Sequence, residues 1–83
     1  MEKILVEVFV PVLENSYDIF IPVQSMMYDI LDLIKKALTE MSGGRFKANE
    51  DTVICSRENG AILNINLSVV ELELKNGSKL MLI

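Results

Sequence analysis

The sequence contains no histidine and only one cysteine, Cys55, among its 83 residues. The missing imidazole excludes Ser-His and Cys-His nucleophile activation, imidazole general-base catalysis and His-ligated zinc. A single cysteine cannot form an internal disulfide or a cysteine-rich metal site. These absences exclude much of enzyme chemistry. We expect a non-enzymatic protein with no catalytic residue, no cofactor and no metal site.

The sequence also lacks a long hydrophobic run and an excess of basic residues. Its longest apolar stretches are interrupted by Glu7 and Pro11 and are far shorter than the roughly 20 residues of a membrane-spanning helix. The N-terminus does not resemble a signal peptide. Twelve acidic and eight basic residues give a formal net charge of -4, which disfavours nucleic-acid binding. We expect a cytoplasmic protein that does not insert into a membrane.

What remains is the composition of a small globular protein. Apolar residues make up 51% of the chain and charged residues 24%, which is typical of a folded domain. A chain of this length has room for one modest core, and it contains no linker, repeat or low-complexity segment. We expect a single domain over residues 1–83.

Alternating apolar residues near the N-terminus predict a β-hairpin. Residues 4–10 carry aliphatic side chains at every second position, and residues 17–21 repeat the alternation after a turn at 13–16. Pro11 has no N–H to donate, so we expect it where the first strand leaves its pairing or at a bulge near the turn.

After Pro22 the apolar period changes to three and four residues, which predicts an amphipathic helix from about Met26 to Met41. Ser25 is the predicted N-cap. Ser42-Gly43-Gly44 supplies residues suited to the left-handed conformation that ends many helices.

Three short strand signals follow the helix. Residues 53–55 and 61–63 flank an Asn59-Gly60 turn, and residues 79–83 form the final strand. The order strand, strand, helix, strand, short strand, strand predicts an α+β fold. In this fold a mixed sheet of four to five strands packs on one main helix.

This order, with Leu67-Ser68 about a dozen residues before a final strand in 77–82 (GSKLML), resembles the ubiquitin-like β-grasp. Within that fold, residues 14–21 (ENSYDIFI) and 28–30 (YDI) are similar to the small ubiquitin-like proteins of bacterial type VII secretion loci. The resemblance implies a non-enzymatic accessory or regulatory protein of a secretion apparatus. Its partners would be proteins, including components of that apparatus.

The C-terminal sequence departs from that of ubiquitin. Conjugation and sulfur transfer require a flexible tail that ends in glycine, whereas residues 80–83 (LMLI) complete a strand pattern. Gly43-Gly44 is internal, and we expect it only to end the helix. We therefore expect no conjugation. The alternative is a modifier or sulfur carrier whose longer native C-terminus has been trimmed.

Successive side chains of a strand point to opposite faces of the sheet, so the aliphatic set of each strand is expected to face the helix. The predicted core comprises Val6, Val8, Ile19, Ile21, Ile30, Ile34, Leu38, Val53, Leu67, Leu80 and Leu82.

The opposite face, which we call the outer face, carries more apolar residues than a surface facing water usually does. Ile54, Met81 and Ile83 are expected to be neighbours there, at positions similar to the apolar patch by which ubiquitin meets its receptors. A structural homodimer through this face is the alternative to partner recognition. The predicted protein-binding residues are Leu5, Phe9, Phe20, Ile54, Met81 and Ile83.

Two further features favour structural roles. Cys55 alternates with Ile54, so we expect its thiol to point into the core as a small hydrophobic group. Glu71 and Glu73 have the spacing of a possible acid and base pair, but we expect them on a solvated face.

Overall fold

The computed structural model describes residues 2–83 and opens with a long hairpin. Strands β1 (Lys3–Val10) and β2 (Asn15–Pro22) pair antiparallel over their whole lengths. The turn between them is a 3-10 helix at Pro11–Leu13, followed by Glu14 in the left-handed conformation. Pro11 lies where β1 ends, as predicted, because it has no N–H for the sheet.

Helix α1 (Met27–Met41) packs its apolar side on one face of the sheet. The prediction that Ser25 caps it is wrong, since no side chain bonds to the N-terminal N–H groups. Instead, the first helical N–H donates to the Leu67 carbonyl (2.8 Å) and the next, of Tyr28, donates to Ile65 (3.0 Å). Backbone carbonyls of residues 65 and 67 thus accept the N-terminal N–H groups that a capping side chain would otherwise bind.

The end of the helix agrees with the prediction. Gly43 and Gly44 follow it with φ of 67° and 83°, a conformation that glycine adopts without a Cβ clash. The Ser42 hydroxyl then accepts a hydrogen bond from the buried N–H of Phe46 at 2.9 Å. This bond turns the chain back toward the core, where the Phe46 ring is buried.

Replacing Ser42 with Ala should destabilise the protein by about 1–3 kcal/mol, because the buried N–H of Phe46 loses its acceptor. Chemical denaturation measures the loss. Thr39→Ala is the matched control: its hydroxyl donates to the Lys35 carbonyl at an exposed site, and its removal should change stability by less than about 0.5 kcal/mol. Equal losses for both variants would contradict the role given to Ser42.

Two short strands complete the sheet. Strand β4 (Lys79–Leu82) pairs parallel with β1 and antiparallel with β3 (Ile54–Ser56), giving the order β2-β1-β4-β3. The predicted strand at 61–63 is reduced to one bridge between Ile62 and Cys55. The fold is therefore the predicted α+β arrangement, a mixed four-stranded sheet on one helix.

The core also follows the prediction except at two positions. Val53 and Leu67 are only half-buried, whereas Val69 and Phe46, which were not predicted, are buried. Val53 exchanges two backbone hydrogen bonds with Ile83 (2.8 and 3.0 Å) beside the strand pairing. The other predicted core residues are all buried: Val6, Val8, Ile19, Ile21, Ile30, Ile34, Leu38, Leu80 and Leu82.

Candidate protein-binding surface

The outer face of the sheet carries four of the predicted binding residues at paired positions. Leu5 on β1 lies opposite Phe20 on β2, and Phe9 on β1 lies opposite Met81 on β4. Phe20 is 63% exposed, while the other three side chains are half-buried. The parity prediction is therefore correct for the three strands in which these residues lie.

Ile54 is the exception, and its predicted place on the outer face is wrong. It pairs with Leu82, a core residue, and its side chain is only 1% exposed. Residues 53–55, at the edge strand β3, are all apolar, so no alternation of apolar and polar residues shows which side chains face the core. Ile54 therefore belongs to the helix side of the sheet and is not part of the outer face.

The side of the sheet predicted for Cys55 is wrong for the same reason. Its thiol is buried, as predicted, but it pairs with Met81 and thus belongs to the outer parity rather than the core. The prediction that it points into the core is wrong. Cys55 also bridges to Ile62, so it lies between two neighbouring strand segments.

A band of charged residues crosses the middle of the outer face. Glu7 lies opposite Asp18 on one side and Lys79 on the other. Arg57 reaches Glu7 with its Nη1 atom 3.4 Å from Oε2, and its guanidinium carbon lies 4.2 Å from the ring centroid of Phe9. Such an ion pair and cation–π contact are weak at an exposed site. The band separates the apolar residues into two groups.

One group lies at the end of the sheet and gains a residue that sequence reasoning missed. Val12, in the turn after β1, is 80% exposed and lines a groove of about 410 Å³ together with Pro11 and Ile83. Ile83 is 54% exposed. The signal for Val12 was an apolar residue directly after Pro11, where strand pairing stops. We call Phe9, Val12, Met81 and Ile83 the terminal patch.

The other group is the pair formed by Leu5 and Phe20. Phe20 lies on β2, which is an edge strand of the sheet, so its ring projects from the border of the outer face. The charged band lies between this pair and the terminal patch. The predicted binding residues other than Ile54 thus form two apolar areas with charged residues between them.

Glu71 has a structural partner rather than a chemical one. Its carboxylate accepts a hydrogen bond from the Ser68 N–H (2.9 Å), and the Ser68 hydroxyl accepts one from the Glu71 N–H (3.1 Å). This reciprocal pair is a capping box that closes one turn. Glu73 lies at the end of the same turn with φ of 58°.

Residues 2–83 contain neither a metal-binding cluster nor a membrane-spanning helix. Within residues 2–83, no group of three or more Cys, Asp or Glu side chains is placed to hold a metal ion. The helix present in this range is too short and too polar to cross a membrane.

The architecture is that of the ubiquitin-like β-grasp proteins. The solved ubiquitin-like domain of the type VII secretion system protein EccD1 of Mycobacterium tuberculosis matches with a TM-score of 0.80 and 18% identity, over 100% of this chain and 99% of that one. The EccD5 ubiquitin-like domain from Mycobacterium xenopi matches with a TM-score of 0.69 and 19% identity, over 100% and 94%.

A third solved structure places such a domain in a larger assembly. A chain of the MycP5-free ESX-5 inner membrane complex matches with a TM-score of 0.70 and 17% identity; the match covers 100% of this chain and 21% of that one. At these identities the likeness establishes the fold. No protein-family model matches the sequence, and neither does any curated protein.

Proposed function

We propose that this protein is a non-enzymatic, cytoplasmic interaction module that binds a component of a type VII secretion apparatus through its outer face. The terminal patch carries the proposal, because Val12 and Ile83 are large apolar side chains that the fold leaves exposed beside each other at one groove. Exposed apolar groups that cluster on a small protein favour contact with another protein.

The choice of a secretion apparatus is supported by the structural neighbours. The EccD1 domain matches this chain over nearly the whole length of both molecules, and a further match lies in an inner membrane complex. The similarity of residues 14–21 and 28–30 to ubiquitin-like proteins of type VII secretion loci points the same way. In this proposal, residues 1–83 act as one ubiquitin-like domain with an accessory or regulatory role.

The proposed binding is noncovalent. Gly43 and Gly44 lie at the end of helix α1, where their positive φ angles serve the turn, so they are not available as a conjugation tail. Ile83 is held at the sheet by two backbone hydrogen bonds to Val53.

Affinity capture from the native host, with crosslinking before lysis, tests this function. We expect the recovered protein to bring down membrane or ATPase components of a secretion apparatus and to have the intact mass of an unconjugated chain. The proposal fails if those components are absent, or if the protein is recovered as an isopeptide conjugate or a thiocarboxylate. Recovery of the protein with itself alone would support the homodimer instead.

A further inference from the structure

A second groove runs along helix α1, on the side that faces residues 47–53 and 62–65. It consists of two adjoining recesses of about 360 and 420 Å³. Asp32 and Lys35 line both recesses, so the two form one continuous groove. The outer-face residues Leu5, Phe9, Phe20 and Met81 line neither recess, although Lys47 and Thr52 also line the groove at Val12 and Ile83.

One half of this groove is apolar and recessed. Its lining includes the buried side chains of Leu31 and Ile54, with Tyr28 (46% exposed) and Ile62 (67% exposed) at the surface. Ile65 completes the lining, and its carbonyl accepts the N–H of Tyr28, so the segment 62–65 is fixed to the helix. A fixed apolar recess with exposed large side chains suits the insertion of an apolar side chain.

The other half of the groove is basic. Lys35, Lys36 and Lys47 line it together with Thr39 and Ala48. Within residues 2–83, none of these lysines forms a salt bridge; the ion pair found there joins Arg57 and Glu7. Three of the eight basic residues thus gather at one concave site of a chain whose net charge is -4. This concentration of charge favours an acidic ligand.

Acidic residues limit where that ligand can place its charge. Asp32 lies at the junction of the two halves, and Glu50 lines the apolar half. Lys35 shares the junction with Asp32, whereas Lys36 and Lys47 line only the basic half, so carboxylates of a ligand are attracted most strongly in that half. From Leu31 to Lys36 the helix rises about 7.5 Å, which sets the approximate distance along the helix between an apolar anchor and the acidic groups.

We propose that this groove binds a linear segment of a partner protein that has large apolar side chains at one end and acidic side chains about 7.5 Å farther along. A membrane surface fits less well, because a flat bilayer cannot reach Leu31 and Ile54 at the base of the recess. The net negative charge also opposes adsorption to anionic lipid. The inference does not depend on the outer face.

Panning random dodecapeptides against the 83-residue protein tests this site. Selected peptides should combine Leu, Ile, Phe or Trp with Asp or Glu, and they should shift the amide resonances of residues 28–39 and 62–65. The double variant Lys36→Glu with Lys47→Glu should weaken the best peptide at least about tenfold, because attraction becomes repulsion. Ile62→Asp should weaken the same peptide through the apolar half.

The matched control is Lys3→Glu with Lys75→Glu, which changes the net charge equally at exposed lysines outside the groove. It should leave the affinity of the peptide unchanged. Selection of no peptide, selected peptides without acidic residues, or equal losses for both double variants would overturn the proposal. So would binding to phosphatidylglycerol vesicles alone. Peptides that shift only outer-face amides would also overturn it, while leaving the outer-face function intact.

Discussion

Replacing Ile54 with Asp is expected to unfold the protein. Ile54 lies beside Leu82 in the core and is 1% exposed, so the substitution removes its packing and buries a carboxylate without a partner. Loss of the packing alone costs about 2–5 kcal/mol, and the buried charge adds several more. A domain of 83 residues is stable by roughly 4–12 kcal/mol. Circular dichroism should therefore show no cooperative thermal transition.

The matched control is Ile62→Asp, which places the same charge at an isoleucine that is mostly exposed. It should retain the helical signal and melt cooperatively, within a few degrees of the unmodified protein. If Ile54→Asp also melts cooperatively near that temperature, the pairing of Ile54 with Leu82 is wrong. Ile54 would then belong to the outer face, as its sequence position first indicated.

Charging the terminal patch should abolish partner binding without unfolding the protein. Val12→Asp with Ile83→Asp changes two exposed side chains that lie outside the strands, so we expect little loss of stability. Each places a carboxylate where the bound partner would exclude water, and central apolar contacts often contribute about 2 kcal/mol or more. The affinity for the captured partner should fall at least about 30-fold. Titration calorimetry measures it.

Two exposed apolar residues elsewhere provide the control for this experiment. Val70 is 57% exposed in the turn that begins at Ser68, and Leu33 is exposed on the helix. Val70→Asp with Leu33→Asp adds the same charge and should leave affinity within about twofold. An equal loss in both double variants would show that net charge, rather than the terminal patch, governs binding.

Local sequence patterns were sufficient for the long elements. The apolar alternation in residues 4–10 repeats several times, so the sequence predicts clearly which side chains face the core. The structure buries Val6 and Val8, as predicted. In helix α1 the apolar residues also recur over several turns. Its predicted bounds differ from the observed ones by one residue at the start. The β-grasp order followed from these elements together.

Short elements and tertiary contacts explain the errors. Strand β3 has only three residues, too few for a repeating pattern to show which side chains face the core. Ile54 and Cys55 were therefore assigned to the wrong sides of the sheet. Ser25 looked like a cap because the sequence does not reveal that Leu67 would approach the first helical N–H. Hydrogen bonds between distant segments are not encoded in any local periodicity.

The candidate surface was predictable only in part. Leu5, Phe9, Phe20 and Met81 lie on the predicted face, but the contact of Arg57 with Phe9 joins distant segments and could not be predicted from local sequence. The helix groove was not predicted, because it requires residues 28–39, 47–53 and 62–65 to meet. These three segments are distant in the sequence, and no local pattern indicates that they come together.

Site-specific photocrosslinking in the native host tests the central claim most directly. A photoreactive residue in place of Phe20 or Ile83, both exposed on the outer face, should form a crosslink to a component of the secretion apparatus. The same residue in place of Val70, which is equally exposed elsewhere, should not. Crosslinks to that component from Val70 and none from Phe20 or Ile83 would contradict the account.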